Sequence, residues 1–109
     1  MALALAIVSP ELEVRAVTTV AGNVSLATAT ANANYLLEVF QPDPMPRFAE
    51  GSAKPLEREL VTAEHVHGID GLAGVTDLEG WTRSQVVHPD GCRLGAARAV
   101  DVILDEVTN

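Results

Sequence analysis

Residues 15–25, with the sequence RAVTTVAGNVS, decide the fold of this chain. The residues from Val14 to Ala21 predict a buried strand, because both of its faces are largely uncharged after Arg15, as in a central parallel strand. A turn at Asn23 follows, and Ser25 is suited to cap the helix that comes next. In open parallel sheets, ligands bind where a strand ends and a helix begins.

Asn23 is therefore a candidate ligand-binding residue, since its carboxamide can both donate and accept a hydrogen bond. The structural alternative is equally simple, because asparagine is common in turns, where it tolerates a left-handed backbone. The residues alone leave both interpretations open.

The flanking segments extend this unit into an α/β pattern. Leu26 to Phe40 predicts a helix, and its apolar stripe would contain Leu26, Ala29, Ala33, Leu36, Leu37 and Phe40. Arg47–Ala49 predicts a short second strand, parallel to the first in a right-handed βαβ unit. In the first strand, Val14, Ala16, Thr18 and Val20 would share one face, with Arg15, Val17 and Thr19 on the other.

The two ends of the chain are apolar in different ways. Ala2 to Val8 is apolar all round, which fits either a helix or a strand buried on every side. Leu94 to Val107 predicts an amphipathic helix, with Arg98, Asp101, Asp105 and Glu106 facing away from its apolar stripe. The members of that stripe would be Ala96, Ala97, Val100, Ile103, Leu104 and Val107.

Composition excludes several classes of function. The 109 residues carry a formal net charge of −8, so no basic surface is available for nucleic acid, and an anionic membrane is disfavoured. No segment reaches the roughly 18 apolar residues of a spanning helix. The single cysteine, Cys92, permits no internal disulfide, and we expect a cytoplasmic protein. Cys92 has no evident base beside it and is interpreted as a loop thiol.

The densest polar cluster lies between Glu64 and Gly74. His65 and His67 are two residues apart, as on one face of a strand, and with Asp70 they could form a zinc site. The alternative is a histidine in a polar pocket or on the surface of a loop. The spacing Gly68-x-x-Gly71-x-x-Gly74 is not the dinucleotide fingerprint, and Trp81 is interpreted as packing beneath the long loop.

Four segments in order resemble the inosine-uridine-type nucleoside hydrolases, a family of nucleoside N-ribohydrolases. They are SPELEV at residues 9–14, VTTVAGNV at 17–24, GSAKPL at 51–56 and HVHGIDGL at 65–72. The resemblance implies a mostly parallel, Rossmann-like open sheet with flanking helices, which cleaves the N-glycosidic bond of a ribonucleoside to give ribose and free base. It implies Asn23 as a residue that contacts ribose and the water-metal region, and His67 as a residue beside the nucleobase that could contact or protonate the leaving base. The role of His65 is less clearly implied.

The resemblance also implies a calcium ion that activates the attacking water, a carboxylate that takes the proton of that water, and assembly into a homo-oligomer. The metal-binding aspartates of the family lie in a DxDxGxDD motif, which residues 1–109 do not contain. The expectation is thus a partial domain over residues 1–109, about the first third of a family member and truncated at both ends. We expect this piece to be inactive by itself.

Two other classes of function compete with this hypothesis. One is a truncated or diverged relative that binds a nucleoside or a partner protein without turnover. The other is an unrelated small α/β binding domain, for which the matching segments would be accidental. Whether a DxDxGxDD motif is encoded in frame upstream of Met1 separates the nucleoside hydrolase hypothesis from the relative without turnover.

Overall fold

The structure, a computed structural model, describes residues 2–75 and 98–109. Its helices are α1 (Ala2–Val8), α2 (Leu26–Phe40), α3 (Glu64–His67) and α4 (Ala99–Thr108), and its strands are β1 (Ala16–Thr19) and β2 (Arg47–Glu50). The two strands pair in parallel, with Ala16 opposite Arg47 and Thr19 opposite Glu50. The α/β class and the short second strand are therefore confirmed, and the first seven described residues form a helix.

Helix α2 begins and ends where its sequence predicts. The Oγ atom of Ser25 accepts a hydrogen bond from the backbone N–H of Thr28 at 3.2 Å, which satisfies one of the free donors of the first turn. Gln41 ends the helix in a left-handed conformation (φ 42°), and its N–H donates to the carbonyl of Leu37 at 2.9 Å. Pro42 follows and prevents the helix from continuing.

Helices α1 and α2 cover one face of the sheet. The buried side chains there are Val17, Ala33, Leu37 and Phe48, and Leu3, Ile7 and Val14 pack around them. The hydroxyls of Thr19 and Thr30 share a buried hydrogen bond of 3.0 Å. The predicted stripe of α2 is thus correct at Ala33 and Leu37 but wrong at Phe40, which is exposed, while Thr30 and Asn34 are buried.

Helix α4 packs on the opposite face through small side chains. Ala99 and Val102 are buried against Ala49, with Ala16 beside them. The predicted apolar stripe of this helix is wrong, because Val100, Ile103, Leu104 and Val107 are exposed, and residues 94–97 lie outside the described residues. Ala99 and Val102, three positions apart, form the side of the helix that meets the sheet, so the larger apolar side chains on its other sides are exposed.

Ion pairs hold the C-terminal half of α4 against the strands. Arg47 bonds to Asp105 and, at 3.0 Å, to Glu106, while Arg15 contacts Glu106 at 2.9 Å. Asp105 and Glu106, which were predicted to face away from the apolar stripe, thus face the strands. The hydrogen bonds that the Arg47 guanidinium donates to Asp105 and Glu106 raise its pKa, and the bond to Asp105 contributes most.

The first strand is shorter than predicted. β1 ends at Thr19, and Val20 is exposed rather than buried. Val14 packs with Val17 on the α2 face instead of with Ala16, because it lies before the strand, where strict alternation does not apply. Among the described residues, no helix has the length and apolar composition needed to cross a membrane.

Candidate functional site

The two strands end in loops that are joined to each other. The N–H of Gly51 donates to the carbonyl of Thr19 at 2.7 Å, and the N–H of Ala21 donates to the carbonyl of Ser52 at 3.0 Å. Parallel pairing thus continues past the regular strands and fixes the loop in which Asn23 lies. Asn23 is exposed at this end of the sheet, as expected for a residue that could meet a ligand.

Ala63 connects Asn23 to the histidine segment. The backbone carbonyl of Asn23 accepts a hydrogen bond from the N–H of Ala63 at 2.8 Å. The carbonyl of Ala63 in turn accepts from the N–H of His67 at 2.9 Å, which closes the single turn of α3. The two residues singled out in the sequence are therefore joined through the backbone of one intervening residue.

The single helical turn of α3 separates the two histidines. His65 is exposed, whereas His67 is half-buried. The prediction that they share one face of a strand is wrong, because neighbours two apart on a helix point in different directions. Within residues 2–75 and 98–109, no group of three or more histidine, cysteine, aspartate or glutamate side chains could hold a metal ion.

A tightly folded loop follows α3. Gly68, Gly71 and Gly74 have φ values of 79°, 70° and 82°, in the left-handed region that glycine enters without steric cost. The Asp70 Oδ1 atom accepts hydrogen bonds from the N–H groups of Leu72 and Gly74, both at 3.0 Å. The sequence spacing indicated a loop here, and the structure shows a loop with its own internal hydrogen bonds.

Helix α2 and the strand-end loop anchor this glycine loop. The Asn32 Nδ2 atom donates to the carbonyl of Asp70 at 2.8 Å. A Cβ atom on Gly71 would lie 2.8 Å from the Cγ1 atom of Val24, so the backbone here touches the buried residue that follows Asn23. Asn32 carries no signal in the sequence beyond being a polar residue of the predicted helix.

His67 lines an open, mostly apolar cavity of about 400 Å³. Its walls come from α2, α3 and the glycine loop, namely Tyr35, Leu36, Val66, His67, Gly71, Leu72, Ala73 and Val75. An imidazole on an apolar wall can donate or accept one hydrogen bond to a flat heterocycle that packs against the rest of the wall. Trp81 and Cys92 lie outside the described residues.

Comparison with known proteins identifies the family of the chain. Residues 1–109 match the family described as inosine-uridine preferring nucleoside hydrolase. The chain is 41% identical over 105 residues to the uncharacterized protein C1683.06c of Schizosaccharomyces pombe, a match covering 96% of this chain and 30% of that protein.

Two enterobacterial relatives have named activities. The non-specific ribonucleoside hydrolase RihC of Salmonella agona is 47% identical over 73 residues, covering 67% of this chain and 23% of that protein. The pyrimidine-specific ribonucleoside hydrolase RihA of Salmonella paratyphi B is 45% identical over 74 residues, covering 68% of this chain and 24% of that protein. The match thus spans less than a third of each relative's length, and by its match over residues 1–109 the chain belongs to the inosine-uridine preferring nucleoside hydrolase family.

Proposed function

We propose that this chain contributes the strand-end loop and one wall of the base pocket to a ribonucleoside hydrolase. The reaction adds water across the N-glycosidic bond: the bond from the anomeric carbon to the base nitrogen breaks, a bond to the water oxygen forms, and the base leaves with a proton. The observation that carries the proposal is the match to the family over residues 1–109. The printed activities of the two bacterial relatives support it.

Within that reaction we assign Asn23 to the ribose and His67 to the base. Asn23 is exposed at the end of β1 with a carboxamide that suits vicinal hydroxyls. His67 stands in the wall of an apolar cavity large enough for a heterocycle, where an imidazole can donate a proton to the departing nitrogen. The backbone link through Ala63 supports a common site for the two.

Calcium remains part of the proposal for the whole protein rather than for these residues. Between residues 2 and 75 and between 98 and 109, no three histidine, cysteine, aspartate or glutamate side chains come together as a metal site would require. In addition, Oδ1 of Asp70 is already occupied by two backbone N–H groups. The described residues therefore do not fit a calcium site, and the roles assigned to Asn23 and His67 involve no metal. Homo-oligomeric assembly and a cytoplasmic location belong to the same proposal.

The test is a hydrolysis assay with inosine and uridine in excess calcium. It compares the 109-residue chain with the same chain inside the longest open reading frame that contains it. We expect hydrolysis in the longer product only, and its loss when a chelator removes the metal. Inosine binding without turnover in both products would instead support a nucleoside-binding protein, and neither binding nor turnover would refute the proposal.

Two histidine variants of the longer product examine the site itself. His67→Gln should lower kcat by roughly 10²–10⁴-fold, the usual contribution of a general acid. His65→Gln is the matched control, since His65 is exposed on the same helical turn, and its kcat should stay unchanged. Equal losses in the two variants, or no loss in either, would remove His67 from its assigned role.

A further inference from the structure

The carboxylate of Asp70 accepts hydrogen bonds from the backbone N–H groups on either side of Ala73. Its Oδ1 atom holds the N–H groups of Leu72 and Gly74 at 3.0 Å each. The residue between them, Ala73, donates its own N–H to the carbonyl of His67 at 2.7 Å. The orientation of the Ala73 N–H thus depends on the two neighbours that Asp70 fixes.

The backbone around Asp70 could not keep this shape by preference alone. Gly71, Ala73 and Gly74 all have positive φ values, and for Ala73 (φ 58°) this conformation is unfavourable because of its Cβ atom. A non-glycine residue keeps such a conformation only where its surroundings hold it there. The hydrogen bonds to Asp70 and His67 supply those surroundings.

Asn32 attaches the same loop to α2. Its carboxamide donates to the main-chain carbonyl of Asp70 at 2.8 Å, across 38 positions of sequence. Tyr35 and Leu36, on the following turn of α2, form the opposite wall of the cavity that His67 lines. This hydrogen bond is thus one of the contacts that position the His67 wall relative to the α2 wall, beside the packing of Gly71 on Val24.

We propose that Asp70 and Asn32 are positioning residues for His67. Asp70 shapes the loop whose Ala73 N–H bonds to the His67 carbonyl, and Asn32 attaches that loop to α2. This inference rests on the proposed function for its catalytic meaning, but its structural part is measurable without any substrate. Neither residue is assigned a contact with the reacting atoms. Both act through the placement of the imidazole.

The experiment uses the full 109-residue chain and three variants: Asp70→Ala, Asp70→Asn and Asn32→Ala. Asp70→Ala removes the acceptor of two N–H groups, whereas Asp70→Asn keeps a neutral Oδ1 acceptor and serves as the conservative variant. The measurements are amide hydrogen exchange at Ala73 and the NMR signal of the His67 ring. The amide of Gln41, bonded to Leu37 at the far end of α2, is the internal control.

We expect Asp70→Ala to accelerate exchange at Ala73 by roughly tenfold or more and to shift the His67 signal, since the hydrogen bonds that hold Leu72 and Gly74 on either side of Ala73 are lost. Asp70→Asn should restore most of both properties. Asn32→Ala should shift the His67 signal with a smaller change in exchange, because the internal bonds of the loop remain. Exchange at Gln41 should stay constant throughout.

An Ala73 amide that is unprotected in the unmodified chain would overturn the positioning role. So would an Asp70→Ala variant in which Ala73 and His67 are unchanged, or one in which Gln41 accelerates equally. Titration with inosine tests the proposed function separately from the positioning role of Asp70. If inosine leaves the His67 signal unmoved in the longer product, the proposed function loses its support, while the exchange data on the 109-residue chain still decide the role of Asp70.

Discussion

Single residues in the glycine loop have little conformational choice. Four of the seven residues from Gly68 to Gly74 have positive φ values, three of them glycines and one the strained Ala73. Gly71 is constrained twice, because its φ of 70° is unfavourable for other residues and the space beside it is filled by Val24. The backbone conformation at position 71 and its packing against Val24 thus both require glycine.

Gly71→Ala should therefore destabilise the folded chain by about 1–3 kcal/mol, the usual cost of a non-glycine residue held in a sparsely populated conformation. The contact of its Cβ atom with Val24 at 2.8 Å adds to that cost unless the valine moves. The free energy of unfolding, measured by denaturant titration, is the test.

Gly22→Ala is the matched control for this substitution. Gly22 lies in the strand-end loop next to Asn23, and a Cβ atom on it would meet nothing within 4 Å. We expect the free energy of unfolding to stay the same or to rise by about 0.4–1 kcal/mol, since alanine restricts the unfolded chain. Equal destabilisation by the two variants would contradict the special position of Gly71.

Among the secondary-structure elements, α4 is held by small contacts and by charge. Its buried surface consists of Ala99 and Val102, while Arg15 and Arg47 of the strand region pair with Glu106 and Asp105. Exposed ion pairs of this kind each contribute little, because water and salt screen them. The helix therefore depends on several weak contacts, which include the pairing of charges at its own first turn.

The ion pair at the start of α4 should make the stability of the folded chain depend on pH. The Arg98 guanidinium donates to Asp101 from Nε at 3.1 Å and from Nη2 at 3.2 Å. This hydrogen bonding lowers the pKa of the Asp101 carboxyl below its ordinary value of 3.8. The contribution to stability is therefore present above pH 3.8 and is lost as the pH falls through the lower pKa of the folded state.

Carboxyl NMR titration is the measurement. Arg98→Gln should raise the pKa of Asp101 towards 3.8, and Arg58→Gln, a change at another exposed arginine, should leave that pKa where it is. An Asp101 titration that is the same in the Arg98→Gln variant would mean that the ion pair does not form in solution.

The predictability of each element followed from how local its signals were. Helix α2 has fifteen residues, a serine cap and a proline after its end, all of which act within a few positions, and its bounds were predicted correctly. The turn of α3 has only four residues, too few for a helical period to be visible. The packed face of α4 was mispredicted because its partners, Ala49 and Arg47, lie more than fifty residues earlier.

The candidate site was predictable in part for the same reason. The segments that contain Asn23 and His67 match a known family, so both residues were named from sequence; their roles stay predictions. The bond from Asn32 to Asp70 joins residues 38 positions apart, and no local pattern marks it. Polar residues on a helix are usually solvated, so sequence analysis had no physical reason to select Asn32.

At the scale of the whole molecule, apolar surface on α4 remains uncovered among the described residues. Val100, Ile103, Leu104 and Val107 are 47% to 74% exposed and share neighbouring positions on one helix. Contiguous apolar surface promotes association, while the net charge of −8 opposes it by repulsion between copies. The balance should depend on salt, because ions screen the repulsion and leave the apolar attraction in place.

We therefore expect the chain to self-associate, and to do so more strongly at high salt. Sedimentation velocity over a range of protein concentrations measures this against a monomer of 11.5 kDa. Leu104→Lys should weaken association, and Leu56→Lys is the control, with the same change of charge at a loop residue that is 99% exposed. A monomer at all concentrations and salt levels, or equal effects of the two lysines, would be the contrary result.

The position of α4 along the chain also has a consequence for the order of folding. β1 and β2 pair across 31 positions, with Ala16 opposite Arg47, and α2 between them forms by local bonds. The contact from Arg47 to Asp105 closes a further 58 positions. Loop closure becomes entropically costlier with length, and its rate falls as contacts become more distant in sequence. The β1–α2–β2 unit should thus form in the folding transition state, and α4 should dock onto the exposed alanines of the sheet afterwards.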